Sequence, residues 1–206
     1  MEPHVYNGQS KLGWIEVICG SMFSGKTEEL IRRLRRARIA RQHVEIFKPS
    51  IDTRYSETEV VSHDETAIPS TPVDTPSQII LLASHADVVG IDEAHFFGPG
   101  LLEVVQQLAG QGKRVIVAGL DQDYLGHPFE PIPQLLAVAE YVTKLHAVCM
   151  VCGAPANHSQ RLVPDGQRLL VGAKESYEPR CRLHFSPTHQ PSTTPAAVPV
   201  QASARA

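Results

Sequence analysis

From residue 14 onward, apolar positions recur in a regular order along the chain. Short apolar runs at 15–19, 44–47, 86–91, 114–118 and 142–148 read as strands. Segments with apolar residues at helical spacing separate them, at 28–41, 77–83, 101–111 and 132–139. In the first of these, Leu30, Ile31, Leu34, Ala37 and the aliphatic stem of Arg38 line one side. Strand and helix in alternation predict an α/β fold, a parallel sheet with helices on both faces.

The pattern lapses in three places. Residues 1–13 form a polar lead-in, expected to be flexible. Residues 50–77 are rich in Ser, Thr, Asp and Pro, and predict loops with short edge strands, 59–62 among them. A long irregular segment beside a compact core is commonly functional. Residues 186–206 hold Pro, Ala, Thr, Ser and Gln with almost no charge or bulk, and are expected to be disordered.

Composition supports one core of ordinary size: 206 residues, 42% hydrophobic and 20% charged. No run approaches the roughly 18 apolar residues of a membrane span, and the first residues lack a signal-peptide core. The cytoplasm is therefore the expected compartment. A net charge of −3 argues against a generally basic, nucleic-acid-binding surface. Four cysteines are too few for a disulfide scaffold of this length.

Candidate chemistry begins after the first strand. Gly20-Ser21-Met22-Phe23-Ser24-Gly25-Lys26-Thr27 matches G-x-x-x-x-G-K-[ST], with a strand before it and a helix after it. Glycines at both ends let the backbone wrap an anion with its amides pointing inward, at the positive end of a helix. Lys26 then reaches the β- and γ-phosphates, and the Thr27 hydroxyl ligates Mg²⁺. This is a P-loop (RecA-like) arrangement.

The run Val88-Val89-Gly90-Ile91 ends in Asp92-Glu93. In a parallel sheet that strand end faces the phosphate loop, so Asp92 is placed to hold Mg²⁺. Side-chain alternation turns Glu93 elsewhere, to accept a proton from an attacking hydroxyl or water. Asp52-Thr53-Arg54 follows the second strand; it either reaches the Mg²⁺ shell and the phosphates or is a solvated ion-paired turn.

Cys149-x-x-Cys152 and Cys181-x-x-His184 offer four ligands for a closed, structural Zn²⁺ site. A redox C-x-x-C pair or free thiols are the alternatives. Cys19 lies inside the first strand and reads as a small core residue.

Taken together, these segments resemble the zinc-containing, cellular (type II) thymidine kinase family. The resemblance covers about 14–185. It rests on the phosphate loop with Met22 and Phe23 inside it, and on Asp52-Thr53-Arg54-Tyr55. It rests further on Ile91-Asp92-Glu93-Ala94-His95-Phe96-Phe97, on Gly119-Leu120-Asp121-Gln122-Asp123-Tyr124 with Pro128-Phe129, and on the Cys/His knuckles with Tyr177 between them.

The resemblance implies transfer of the γ-phosphate of ATP to the 5′-hydroxyl of thymidine, with deoxyuridine a further acceptor, in nucleotide salvage for DNA synthesis. It implies Glu93 as general base. ATP would be bound by Gly20, Ser21, Met22, Phe23, Ser24, Gly25, Lys26, Thr27, Arg54, Asp92, Glu93, Ala94 and His95. Thr27, Asp92 and Asp52 would serve Mg²⁺. Met22, Phe96, Leu120, Phe129 and Tyr177 would line the thymine pocket, with the backbone of Leu170, Val171 and Gly172 on the thymine edge. The implied organisation is a P-loop domain over 14–148 and a small zinc-ribbon or lasso domain over 149–185. Implied partners are thymidine, ATP and dTTP as feedback inhibitor, in a homotetramer, with no membrane and no nucleic acid. The chain departs from the family at His95, where Gln is common, and at Tyr124, where Phe is common; Ala173 and Lys174 stand where some members have Gly and Ala, and His184 is a ligand where many members have Cys.

Two other readings carry different marks. Arg32, Arg33, Arg35, Arg36, Arg38 and Arg41 make a basic helix. That helix suits either a nucleic-acid-stimulated ATPase or plain solvation. A zinc-binding module with a silent nucleotide site would bind metal tightly and turn nothing over.

Overall fold

The computed structural model describes residues 12–52, 59–61, 67–162 and 176–187. The lead-in up to residue 11, Arg54, Tyr55, Leu170, Val171, Gly172 and the tail from residue 188 lie outside the described residues. Strand β1 (Trp14–Gly20) leads through the phosphate loop into helix α1 (Lys26–Ile39), then β2 (Val44–Pro49). After β3 (Glu59–Val61), β4 (Ala67–Pro69) and β5 (Thr71–Val73) come α2 (Pro76–Leu82) and β6 (Val88–Ile91). A 3₁₀ turn (Ala94–Phe96), α3 (Leu101–Gly110), β7 (Arg114–Gly119), α4 (Ile132–Val138) and β8 (Tyr141–Leu145) complete the α/β part. Four short strands follow: β9 (Ala147–Val148), β10 (Pro155–Ala156), β11 (His158–Arg161) and β12 (Tyr177–Arg180).

Six strands form one sheet in the order β5-β2-β6-β7-β1-β8, every pairing parallel. The runs are apolar because both faces are covered. Ile15, Val17 and Cys19 of β1 face the layer holding α2, α3 and α4, with Ile79, Leu101, Val105, Leu108, Ile132 and Leu135. Ile18 of β1 faces α1, where Leu30, Ile31, Leu34 and Ala37 are buried beside Ile46, Val88, Ile116 and Ala118. The helical stripe read from the sequence is this buried face, except that Arg38, expected to lay its stem along it, is exposed. Cys19 is fully buried in the core, and burial, followed by the charge of Asp121, pushes its thiol up to about 11.

Three local expectations change. The run 142–148 is not one strand. β8 ends at Leu145, and Ala147–Val148 pairs antiparallel with Pro155–Ala156 instead. The chain leaves the sheet at His146 to enter the first Cys knuckle, and it cannot do so while staying in register with β1. Within 50–77, β5 is an edge strand of the sheet beside β2, as expected, while β3, read over 59–62 as another edge strand, pairs instead with β4 in a separate two-stranded sheet. The third change concerns β11 and β12, which pair antiparallel where no strand is legible in the sequence. His158, Ser159, Gln160 and Arg161 are all polar and all buried, so no apolar alternation marks β11.

Candidate active site and metal centre

The phosphate loop places glycines at two of its three positive-φ positions, Phe23 being the third. Gly20 has φ +140, and a Cβ there would lie 2.2 Å from the Leu145 carbonyl oxygen. Gly25 has φ 84 and stands at the N-terminus of α1. Between them the loop curls on itself: the Lys26 ammonium donates to the Ser21 carbonyl at 2.7 Å. The buried Ser24 hydroxyl has no hydrogen-bond partner among the described residues. An orphaned hydroxyl and an ammonium resting on the loop's own carbonyl fit a phosphate chain, whose oxygens accept from both.

Metal-ligating groups meet at the next strand end. The Thr27 hydroxyl donates to Asp92 Oδ2 at 3.2 Å, and Asp92 Oδ1 accepts from the Glu93 amide at 3.0 Å. The Asp92 amide donates to the Phe47 carbonyl, which ties this end to β2. Asp52 is also buried just beyond β2. Burial pushes the Asp92 carboxyl up to about 7; the charges of Glu93 and Asp52 add to this, and the Glu93 amide and Lys26 oppose it. A hydroxyl and a carboxylate oxygen this close, in an excess of negative charge, fit adjacent positions on a small hard cation such as Mg²⁺.

Glu93 turns away from Asp92 for a different reason than strand alternation. β6 ends at Ile91, and Glu93 adopts φ 49 and ψ 39, a left-handed residue that starts the 3₁₀ turn. Its carboxylate Oε2 lies 3.5 Å from His95 Nε2. His95 Nδ1 accepts from the Leu120 amide at 3.3 Å. The His95 ring packs against Phe96 and Phe129, with centroids 4.2 Å and 5.0 Å away. Ala94 is buried in the core, so its side chain faces away from the loop side.

The apolar residues assigned to a base pocket fall into three groups. Phe96, Leu120 and Phe129 gather around His95. Met22 reaches β11, its amide donating to the Ser159 hydroxyl at 3.0 Å. Tyr177, buried on β12, accepts from Arg161 Nη2 at 2.7 Å. The Arg161 guanidinium in turn lies 3.7 Å from the Tyr124 ring centroid, a cation–π contact that also explains a buried arginine. Sequence reasoning missed Arg161, Ser159 and Ala156 because they sit in a polar run with no motif.

The Cys/His residues converge. The ligand atoms of Cys149, Cys152, Cys181 and His184 all lie within 4.8 Å of one another. Separations are 3.7 Å between Cys152 Sγ and Cys181 Sγ, 3.8 Å from Cys149 Sγ to His184 Nδ1, and 3.3 Å from Cys181 Sγ to the same nitrogen. A tetrahedral zinc site with bonds of about 2.3 Å to sulfur and about 2.0 Å to nitrogen calls for separations of roughly 3.5–3.8 Å. The knuckles are made by tight turns: the Gly153 amide donates to the Cys149 carbonyl, and the His184 amide to the Cys181 carbonyl. Burial raises the Cys149 thiol, yet amide donors from Cys181, Val151 and Cys152 outweigh it and bring it down to about 6. The donor set fits Zn²⁺, with no free position on a four-ligand site.

This centre touches the phosphate loop. Phe23, left-handed at φ 63, packs against the cluster of Ala147, Cys149, Ala156 and Cys181. The Ser21 hydroxyl donates to the Ala156 carbonyl at 3.2 Å. Arginines of α1 are engaged within the molecule: Arg32 pairs with Glu29, and Arg33 with Glu29 and Glu16. No helix among the described residues is long and apolar enough to cross a membrane.

Comparison with known proteins agrees with this site. A family model described as thymidine kinase matches residues 13–185. A thymidine kinase of Rhodothermus sp. is 66% identical over 203 residues, covering 98% of this chain and 95% of that protein. One from Porphyromonas gingivalis is 60% identical, covering 88% and 89%. One from Bacteroides thetaiotaomicron is 58% identical, covering 88% and 90%. A match of this length and identity, on a chain whose phosphate loop, Asp92–Glu93 strand end and Cys/His centre adjoin one another, means that the chain belongs to the thymidine kinase family.

Proposed function

We propose that this enzyme transfers the γ-phosphate of ATP to the 5′-hydroxyl of thymidine, giving dTMP and ADP, with deoxyuridine as a second acceptor. Family membership supports the substrate. The observation that carries the mechanism is the strand end where Thr27 bonds Asp92 while Glu93 is turned aside by a left-handed backbone. Amides of residues 20–27 cradle the phosphates, and Lys26 shifts from the Ser21 carbonyl to the β- and γ-oxygens. Thr27, Asp92 and Asp52 would hold Mg²⁺, which when bound neutralises charge developing on those oxygens. Glu93 takes the 5′-hydroxyl proton as the new O–P bond forms; the bond to the bridging oxygen breaks, and its electron pair leaves with ADP. Arg54 assists the phosphates.

Phe96, Leu120, Phe129, Met22 and Tyr177 supply apolar walls for thymine, and the backbone of Leu170, Val171 and Gly172 reads its edge. Cys149, Cys152, Cys181 and His184 would hold Zn²⁺, a structural ion that would anchor this segment. The enzyme works in the cytoplasm as a homotetramer, with dTTP as feedback inhibitor, and as a P-loop domain over 14–148 with a lasso domain over 149–185. The test is ADP release from ATP and Mg²⁺ with each nucleoside in turn. Stimulation by thymidine, weak with deoxycytidine and absent with purine nucleosides, is expected. Stimulation by no nucleoside overturns the reading.

A further inference from the structure

We infer that His95 is a positioning residue for the Glu93 carboxylate, holding it in place through an Nε2–H donor whose tautomer is set by the chain itself. This inference rests on Glu93 being the base. The side chain of His95 is only 2% exposed, so its ring nitrogens must find partners inside the protein. Nδ1 faces the Leu120 amide, which is itself a donor, so Nδ1 carries no proton. The ring's one proton is therefore on Nε2, which faces Glu93 Oε2 at 3.5 Å. Protonating Nδ1 would set two N–H groups head to head and lose the Leu120 bond. Phe96 and Phe129 pack against the ring, tilted by 37° and 53°, and restrict its rotation.

The arrangement has a mechanical purpose. Glu93 is a left-handed residue beyond the end of β6, at the start of the 3₁₀ turn. His95 connects that carboxylate to the backbone just beyond β7, the neighbouring strand. Fixing Oε2 sets the direction of Oε1, and a general base needs its oxygen within hydrogen-bond reach of the hydroxyl it serves. A base left to swing by about 1 Å loses on the order of a hundredfold in rate. A neutral imidazole does this without adding a positive charge to the site.

The test compares His95→Leu, His95→Gln and Glu93→Gln, alone and combined. His95→Leu should lower kcat roughly 30–100-fold while KM for ATP stays within about twofold. His95→Gln keeps a side-chain N–H donor and a carbonyl acceptor at similar reach, and should recover most of the loss. In a Glu93→Gln background, His95→Leu should cost nothing further, because the two act as one unit. A His95→Leu enzyme with wild-type kcat overturns the positioning role while leaving the base reading intact. A Glu93→Gln enzyme with wild-type kcat overturns the base reading itself. ¹⁵N NMR of the unmodified enzyme gives a check that does not depend on any variant folding. It should find His95 as the neutral Nε2–H tautomer at pH 7, and an Nδ1–H tautomer or an imidazolium would overturn the inference.

Discussion

A left-handed backbone at a residue with a long side chain costs on the order of 1 kcal/mol or more, and Glu93 adopts one at φ 49. The cost is met by the Phe96 and Phe97 amides, which close the 3₁₀ turn, and by the Glu93 amide bonding Asp92. The two adjacent carboxylates are thereby given different surroundings, one against Thr27 and the other toward His95. Glu93→Gln should keep this turn and leave ATP and thymidine affinities within about threefold. Turnover should fall by roughly 10²–10⁴-fold, the usual worth of a positioned base. Binding measured by calorimetry beside steady-state kinetics separates the two effects. That Asp92 and Glu93 matter was readable from an apolar run ending in two acids. The way Glu93 is turned was not, since strand alternation gives a similar direction for the wrong reason, and the tautomer of His95 depends on Leu120, a residue remote in sequence.

At the scale of elements, strand β1 is pinned by Glu16 at the end opposite its phosphate loop. Glu16 accepts from Trp14 Nε1 at 2.8 Å, from Arg114 at 2.6 Å and from Arg33 at 2.7 Å, so one carboxylate joins β1 to β7 and α1. Arg33 continues to Thr143 on β8. Burial raises the Glu16 carboxyl, but the bonds from Arg114, Trp14 and Arg33 outweigh it and hold it below its usual 4.5. A depressed carboxylate stabilises the fold above its unfolded pKa, and the contribution is lost as pH falls. Glu16→Gln should cost about 2 kcal/mol at pH 7, a Tm lower by roughly 4–8 °C. The gap between variant and wild type should narrow as pH drops below 4.5, and thermal scans across that range check both the size and the sign. Buried parallel strands and the α1 stripe were legible because burial on both faces demands apolar side chains. β11 was not, because its buried residues are polar and held by contacts other than apolar packing: Ser159 accepts from the Met22 amide, Gln160 from the Ser186 amide, and Arg161 meets Tyr177 and Tyr124; His158 stacks on Phe185, its ring nitrogens having no hydrogen-bond partner among the described residues.

Over the whole molecule, the Cys/His centre and the phosphate loop form one mechanical unit through Phe23, Ser21 and Met22. Stripping the metal should therefore weaken nucleotide binding as well as thymidine binding. Two lost hydrogen bonds of about 1 kcal/mol each correspond to a fall in ADP affinity of roughly 5–30-fold. Equilibrium dialysis of ADP, before and after chelation and after zinc is restored, measures it; an unchanged affinity would show the loop to stand without the centre. The same contacts bear on the order in which the protein is made. The bonds from Ser21 and Met22 reach 135 and 137 residues down the chain. A ribosome therefore releases every phosphate-loop residue long before it releases Ala156 and Ser159, the partners that hold the loop. The support of the loop is complete only once residue 159 has been made, and a nascent chain stalled earlier carries the motif without its partners.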